Sequence, residues 1–270
     1  MSVETPVQPD TETPTQDETL AVDFKSSHRR NVLAWRDLVT PALVALVLVG
    51  LYVDISRRDL DTIESNVLNR ESLTDATLQH IYVSVSIAVL VMLVAVPAGI
   101  LVTRRRTRRL APAVLAVANV GQAAPSLGLL ALVGIYAIGF WPVVLILTAY
   151  SALSVLRNTI VGLEGVDRGV LDAARGMGMS AAAVLMRVEL PLAVPVIGAG
   201  ARTALVLAVG TVPLGYALDA GGLGLPLFGA IKTNRPVVTF TIAVMIAALA
   251  LLMDWAAGIL QRAATPKGIR

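Results

Sequence analysis

Six stretches of this chain, 38–55, 80–102, 112–138, 141–163, 191–218 and 236–260, carry almost no charge, and each is about long enough to cross a lipid bilayer. A spanning helix needs about 20 mostly apolar residues. Inside hydrocarbon, a backbone must satisfy its own N–H and C=O groups, and helices do this within a single segment. The sequence therefore predicts an all-α, polytopic membrane protein with about six transmembrane helices. Composition agrees: 56% of the 270 residues are hydrophobic and 15% charged, against about 45–50% and about 25% in soluble domains. This excludes an average soluble enzyme, a disordered protein and a nucleic-acid-binding module. With no cysteine and two histidines, neither a disulfide framework nor a thiolate or histidine-rich metal centre is expected. No catalytic constellation of His, Asp/Glu, Ser or Cys gathers at one interface.

The spans differ in regularity. Pro41 falls in the opening turn of the first, where a missing N–H costs little. The third is interrupted by Asn119, Gly121, Gln122, Pro125 and Ser126, and reads either as one broken helix or as two short ones. The fifth loses its helical pattern near Gly210 and Pro213. Residues 1–24 hold Glu4, Asp10, Glu12, Asp17, Glu18 and Asp23, three prolines and no Lys or Arg, the composition of a solvated, disordered acidic tail. Residues 1–35 form the tail and 36–265 the transmembrane domain. Fifteen of the 22 Lys and Arg residues fall on one side of the predicted spans, among them Arg104, Arg105, Arg106, Arg108 and Arg109. That excess puts both termini in the cytoplasm. Loop 56–79 then lies outside, where Leu60, Ile63 and Val67 have the spacing of a short surface helix.

One cytoplasmic segment, 164–190, is longer than its neighbours. Val170, Leu171, Ala174 and Met177 make an apolar strip at helical spacing, suited to docking in a groove of another protein. Gly176 and Gly178 stop this helix. Ser180 caps a second helix that runs to Pro191. Within the segment, Asp172-Ala173-Ala174, three residues, Gly178, nine residues, Val188, one residue and Leu190-Pro191 resemble the Glu-Ala-Ala coupling loop of ABC importer permeases, with Asp172 for Glu and Val188 for Ile. A narrower resemblance, to the glycine betaine/choline/carnitine osmoprotectant branch, covers most of 76–262. It rests on Arg157-Asn158-Thr159 with Gly162-Leu163-Glu164-Gly165-Val166-Asp167, on Ala174 to Met179, on Val188 to Ala193, on Gly221-Gly222-Leu223-Gly224 and on Gln122-Ala123-Ala124-Pro125-Ser126-Leu127.

The resemblance implies a type I importer permease fold in a bacterial inner membrane. It implies that Asp172, Ala173, Ala174, Gly176, Met177, Gly178, Leu190 and Pro191 couple to an ATPase. The implied partners are two ATPase subunits, a second permease copy or a homologous chain, and an extracytoplasmic substrate-binding protein, all in membrane lipid. No cofactor is expected in this chain. It has no Gly-x-x-x-x-Gly-Lys-Ser/Thr phosphate loop, so ATP and magnesium belong to the partner ATPase. Another small solute, such as an amino acid or a sulfonate, is the alternative cargo. A stand-alone secondary transporter would need inverted repeats, which are not visible.

Polar residues within spans are costly and point to function or pairing. Arg202 lies eleven residues past Pro191, about 16 Å along a helix, and Asp254 eight before Arg262, about 12 Å. These depths suit an ion pair between the last two spans, with direct solute contact as the sharper reading. Asn119, Gln122, Pro125 and Ser126 are candidates for the translocation path or gate, or for plain helix packing. Arg157 is expected to snorkel to the inner interface and His80 to lie at the outer one. The scattered aromatics read as an interfacial belt.

Overall fold

The computed structural model describes residues 35–265. The predicted acidic tail lies outside the described residues. Eleven α-helices and no strand occur among them. The helices are α1 (Val39–Ser56), α2 (Thr62–Val67), α3 (Arg70–Thr103), α4 (Ala111–Ala123), α5 (Ser126–Gly134), α6 (Phe140–Glu164), α7 (Arg168–Gly176), α8 (Ala181–Val184), α9 (Leu190–Thr211), α10 (Gly224–Lys232) and α11 (Pro236–Ala264). Five helices are long and apolar enough to cross a membrane: α1, α3, α6, the run Ala181–Leu218 and α11. The remaining predicted span, the third, is a pair, α4 and α5, bent by 85°.

The bend has a local cause. Ala124 precedes Pro125, whose ring disfavours a helical conformation in the residue before it. Ala124 is accordingly extended, with φ −67° and ψ 139°, and α5 restarts at Ser126 in a new direction. Of the two readings of 112–138, one broken helix or two short ones, the structure has two helices joined at this bend, the second ending at Gly134.

The second span also differs from its predicted start. Polar residues between Glu71 and Gln79 hide a helix that begins at Arg70, ten residues before the apolar block. The Asn69 side chain caps it by accepting from the Ser72 N–H at 2.8 Å, which satisfies an orphan donor of the first turn. The predicted outer loop is shortened by the same amount. Its surface helix is α2, capped reciprocally by Asp61 and Glu64. Asp61 also pairs with Arg235 at the start of α11, and that guanidinium holds the Asp61 carboxyl below the usual carboxylate range.

The centre of the bundle is α6, packed between α3 and α9. Ile87, Val91, Leu147, Val155, Ala204 and Ala208 are buried together there. Small residues set the helix spacing, as is common where lipid removes the hydrophobic drive for association. A Cβ on Gly99 would come within 2.6 Å of the Thr159 side chain, and one on Gly200 within 2.8 Å of Asn158. By contrast, α1 lies against α11 and leaves Leu46 and Tyr52 each 73% exposed.

His80 is fully buried within the bundle. The reason lies in Pro213. Having no N–H, Pro213 cannot serve the carbonyl of Val209 four residues back, and His80 Nε2 donates to that oxygen at 2.9 Å. Nδ1 accepts from the Leu223 N–H at 3.3 Å, so the ring is neutral with its proton on Nε2. Gln79 Oε1 accepts from the Gly222 N–H at 3.1 Å. Gly221 and Gly222 have φ of +77° and +83°, and a Cβ on Gly222 would sit 3.2 Å from the His80 backbone. The four-residue glycine-rich stretch is thus a turn clamped to the N-terminal part of α3. Replacing His80 by phenylalanine leaves a buried donor and a buried acceptor unpaired, at about 1–3 kcal/mol for each group. The expected result is a lower melting temperature of the detergent-purified chain, with His80→Gln losing less because its amide retains a donor. Equal melting of all three forms would refute this role.

Candidate functional site

The segment 164–190 begins where α6 ends. The Asp167 carboxylate accepts from the Val170 N–H at 3.2 Å and starts α7. The helix closes in a Schellman turn: the Gly178 N–H donates to Arg175 O at 2.9 Å and the Met179 N–H to Ala174 O at 3.2 Å. Such a turn places its closing residue in the left-handed region. Gly178 has φ +82° there, whereas Gly176 does not have positive φ. The two glycines expected to act together therefore have different roles, Gly176 being the last helical residue and Gly178 the turn.

The predicted apolar strip is divided. Ala174 is buried at 3% exposure and anchors α7, and Leu171 is half-buried. Val170 and Met177 stand out at 46% and 76%. Asp172 pairs with Arg175 on the exposed surface at 2.9 Å, and Ala173 is exposed.

The Ser180 hydroxyl accepts from the Ala183 N–H and starts α8. The expectation that this helix stops at Pro191 is corrected. It passes through a π-helical turn, Leu185–Glu189, into α9, and the Leu190 N–H reaches back five residues to Leu185 O. Pro191 supplies no N–H to the carbonyl of Arg187, and a wider turn just before it accommodates that gap. Leu190 and Pro191 thus form the first turn of α9, half-buried. Glu189, 6% exposed, accepts from Arg104 Nη2 at 2.6 Å. This ties the end of α3 to the π turn. Sequence reading counted Arg104 only as a topology signal, and Glu189 only as part of a motif stretch.

Within the spans, Arg202 and Asp254 form a two-pronged pair, Nε to Oδ1 at 3.0 Å and Nη2 to Oδ2 at 2.6 Å. Fork geometry of this kind is what a guanidinium offers a carboxylate. Both side chains remain a little over a third exposed, at 36% and 38%. Gly258, one turn past Asp254, makes room: a Cβ there would lie 3.3 Å from the Arg202 guanidinium carbon. Arg157 lies on α6. Its Nη2 donates to Asn119 Oδ1 at 2.7 Å, while Asn119 Nδ2 donates to Leu115 O, so the broken span is tied to α6. Gln122 and Ser126 are half-buried beside the break and Pro125 is exposed. Some aromatics pair: Tyr216 stacks on Phe228 with centroids 4.2 Å apart, and Lys232 Nζ lies 5.0 Å from the Tyr216 ring.

Long apolar helices, one broken pair and a short helix held on the loop between α6 and α9 make this a polytopic membrane protein. Residues 95–266 match the binding-protein-dependent transport system inner membrane component family, and the chain belongs to that family. The carnitine transport permease protein OpuCB of Listeria monocytogenes is 37% identical over 203 residues, 75% of this chain and 92% of the relative. The osmoprotectant import permease protein OsmW of Salmonella typhimurium is 36% identical over 218 residues, 78% of this chain and all of the relative. The glycine betaine/carnitine/choline transport system permease protein OpuCD of Bacillus subtilis is 40% identical over 190 residues, 70% and 82% of the two chains. Among solved structures, a chain of the MetNI methionine ABC transporter, crystallised in inward-facing conformations, superposes with a TM-score of 0.63 at 24% identity. It covers 72% of this chain and 96% of that one. The fold is that of a type I ABC importer permease.

Proposed function

We propose that this chain is the membrane-spanning subunit of an ATP-driven importer for compatible solutes of the glycine betaine, choline and carnitine class. The cargo reading is supported by relatives of that naming, 35–40% identical over most of their length. The observation that carries the coupling role is α7: Ala174 anchors it, the Gly178 turn sets its end, and Val170 and Met177 face outward. This is the form of a helix that seats its apolar face in a partner's groove. The partner is a separate ATPase, present as two subunits, which holds ATP and magnesium.

A second permease copy or a homologous chain completes the channel, and an extracytoplasmic binding protein delivers the solute. The arginine-rich loops put both termini on the cytoplasmic side of a bacterial inner membrane. Asn119, Gln122, Pro125 and Ser126, beside the broken span, line the path, since irregular backbone at membrane depth is tolerated where it borders a cavity or protein. ATP binding draws the ATPase subunits together, α7 follows, and the spans open outward to receive solute. Hydrolysis returns them.

The test is uptake into lipid vesicles holding the full chain, its ATPase and its binding protein, with labelled glycine betaine, choline and carnitine. Uptake that requires ATP and the binding protein is the expected result. If the ATPase binds but none of the three enters, the permease reading stands and the cargo is wrong. If no ATPase binds, the coupling role fails.

A further inference from the structure

A cleft of about 480 Å³ opens between the inner ends of α3 and α6 and the flank of α7. Leu163, Val166 and Leu171 line it together with five arginines, Arg104, Arg105, Arg108, Arg168 and Arg175. Two lining carboxylates offset part of this charge: Glu189 pairs with Arg104 at 2.6 Å, and Glu164 with Arg108 at 3.3 Å. Arg175 is held by Asp172 on its own helix. Arg105 and Arg168 have no carboxylate partner among the described residues. Arg168 is also the first residue of α7, where the helix dipole disfavours positive charge and favours an anion. Three separate stretches of chain thus converge on one cleft and leave it with uncompensated positive charge.

A guanidinium fork matches phosphate oxygens in pairs, and several forks around one cavity suit an anion with more than one acceptor oxygen. On the topology proposed above, on which this inference rests, the cleft lies where two spans leave the membrane on the arginine-rich side. We propose that it binds a phosphate-bearing anion, either the head group of an acidic phospholipid or a free phosphate ester. The bound anion links the ends of α3 and α6 to the coupling helix through Arg105 and Arg168. Its occupancy then governs how firmly α7 is held to the spans.

The experiment uses the full-length chain in a neutral detergent, titrated with dihexanoyl phosphatidylglycerol, dihexanoyl phosphatidylcholine and glycerol 3-phosphate, with bound species read by native mass spectrometry. Phosphatidylglycerol is expected to bind and phosphatidylcholine is not. The double variant Arg105→Gln/Arg168→Gln is expected to bind about tenfold more weakly or worse. The control Arg106→Gln/Arg109→Gln removes the same charge from exposed positions outside the cleft and is expected to bind as the unmodified chain does. All four arginines are exposed, and gel filtration checks that both variants remain monodisperse.

Glycerol 3-phosphate binding as tightly as phosphatidylglycerol would identify a free phosphate ester as the ligand, and much weaker binding a lipid. Absence of binding by either anion, or equal weakening in the two double variants, would overturn the site. So would loss of binding on addition of the ATPase chain, because the cleft would then be part of a protein interface.

Discussion

Replacing Gly178 by valine is expected to reduce ATP-driven uptake to near background while the chain still reaches the membrane. A Cβ at Gly178 would have nothing within 4 Å, so crowding is not the cause. The backbone is: at φ +82° an ordinary L-residue loses roughly 1–2 kcal/mol, and a β-branched one is a true outlier. The chain relieves that cost by abandoning the turn, which breaks the two hydrogen bonds from Gly178 and Met179 and lets α7 rotate away from α8. Folding of the spans does not depend on the turn, so insertion survives while transmission fails. Gly178→Asn is expected to keep most uptake, because asparagine tolerates the left-handed region. Gly176→Ala is expected to keep nearly all of it, since Gly176 is the end of an ordinary helix. The measurement is uptake and ATP hydrolysis in vesicles for all three. Uptake by the valine form equal to that of the unmodified chain would remove the turn from the mechanism.

The second large effect is expected at Arg202 and Asp254. Asp254→Leu leaves a guanidinium without its carboxylate inside the bundle, and a charge at the centre of a spanning helix carries an insertion cost of about 2.5–3.5 kcal/mol. Partial exposure of the pair lets the freed arginine find some compensation, so the full figure is an upper bound. Even a fraction of it lowers the amount of assembled permease severalfold. Arg202→Leu is expected to do the same by orphaning Asp254. The exchange Arg202→Asp with Asp254→Arg restores opposite charges at nearly the same positions and is expected to recover much of the loss in assembled protein. The readout is the fraction of chain that is monodisperse in detergent, with uptake measured alongside. If the exchanged form assembles but does not transport, the pair contacts solute or a moving element as well as holding α9 to α11. If each single variant assembles normally, the pair has no structural weight.

The spans are visible in the sequence because lipid demands long uncharged blocks, and α1, α6 and α11 begin and end close to where those blocks do. The errors fall where a polar or proline-containing sequence is still helical. Residues 71–79 are too polar to read as a span, yet they continue α3 because Asn69 supplies the cap and Glu71 the favourable first-turn charge. Pro191 looks like a helix end, but a helix tolerates proline when the preceding turn widens, and the π turn does that. The break at Pro125 is legible in the dipeptide Ala124-Pro125, whereas its 85° angle depends on what α4 and α5 pack against. His80 has no sequence signal of burial, because its partner is a carbonyl freed by a proline 133 residues away. In the segment 164–190, spacing marks which residues lie on one helical face. It does not say which side of that face turns inward, since Ala174 and Met177 are both apolar and only packing separates them. The tie between Arg104 and Glu189 was hidden for a similar reason, as arginines beside spans have a sufficient explanation in topology.

Because no break interrupts the helix at Pro191, α8 and the fifth span form one continuous run. The run Ala181–Leu218 has 38 residues, about 57 Å at 1.5 Å per residue, nearly twice the thickness of the hydrocarbon core, about 30 Å. A rod of that length pivoting near its middle turns a small tilt at one end into an opposite swing at the other. It is pinned to α3 twice, by His80 through the carbonyl of Val209 in its C-terminal half and by Arg104 through Glu189 in its N-terminal half. Tilting the rod against α3 therefore strains one fastening or the other, and their relative strengths decide which side of the membrane yields first.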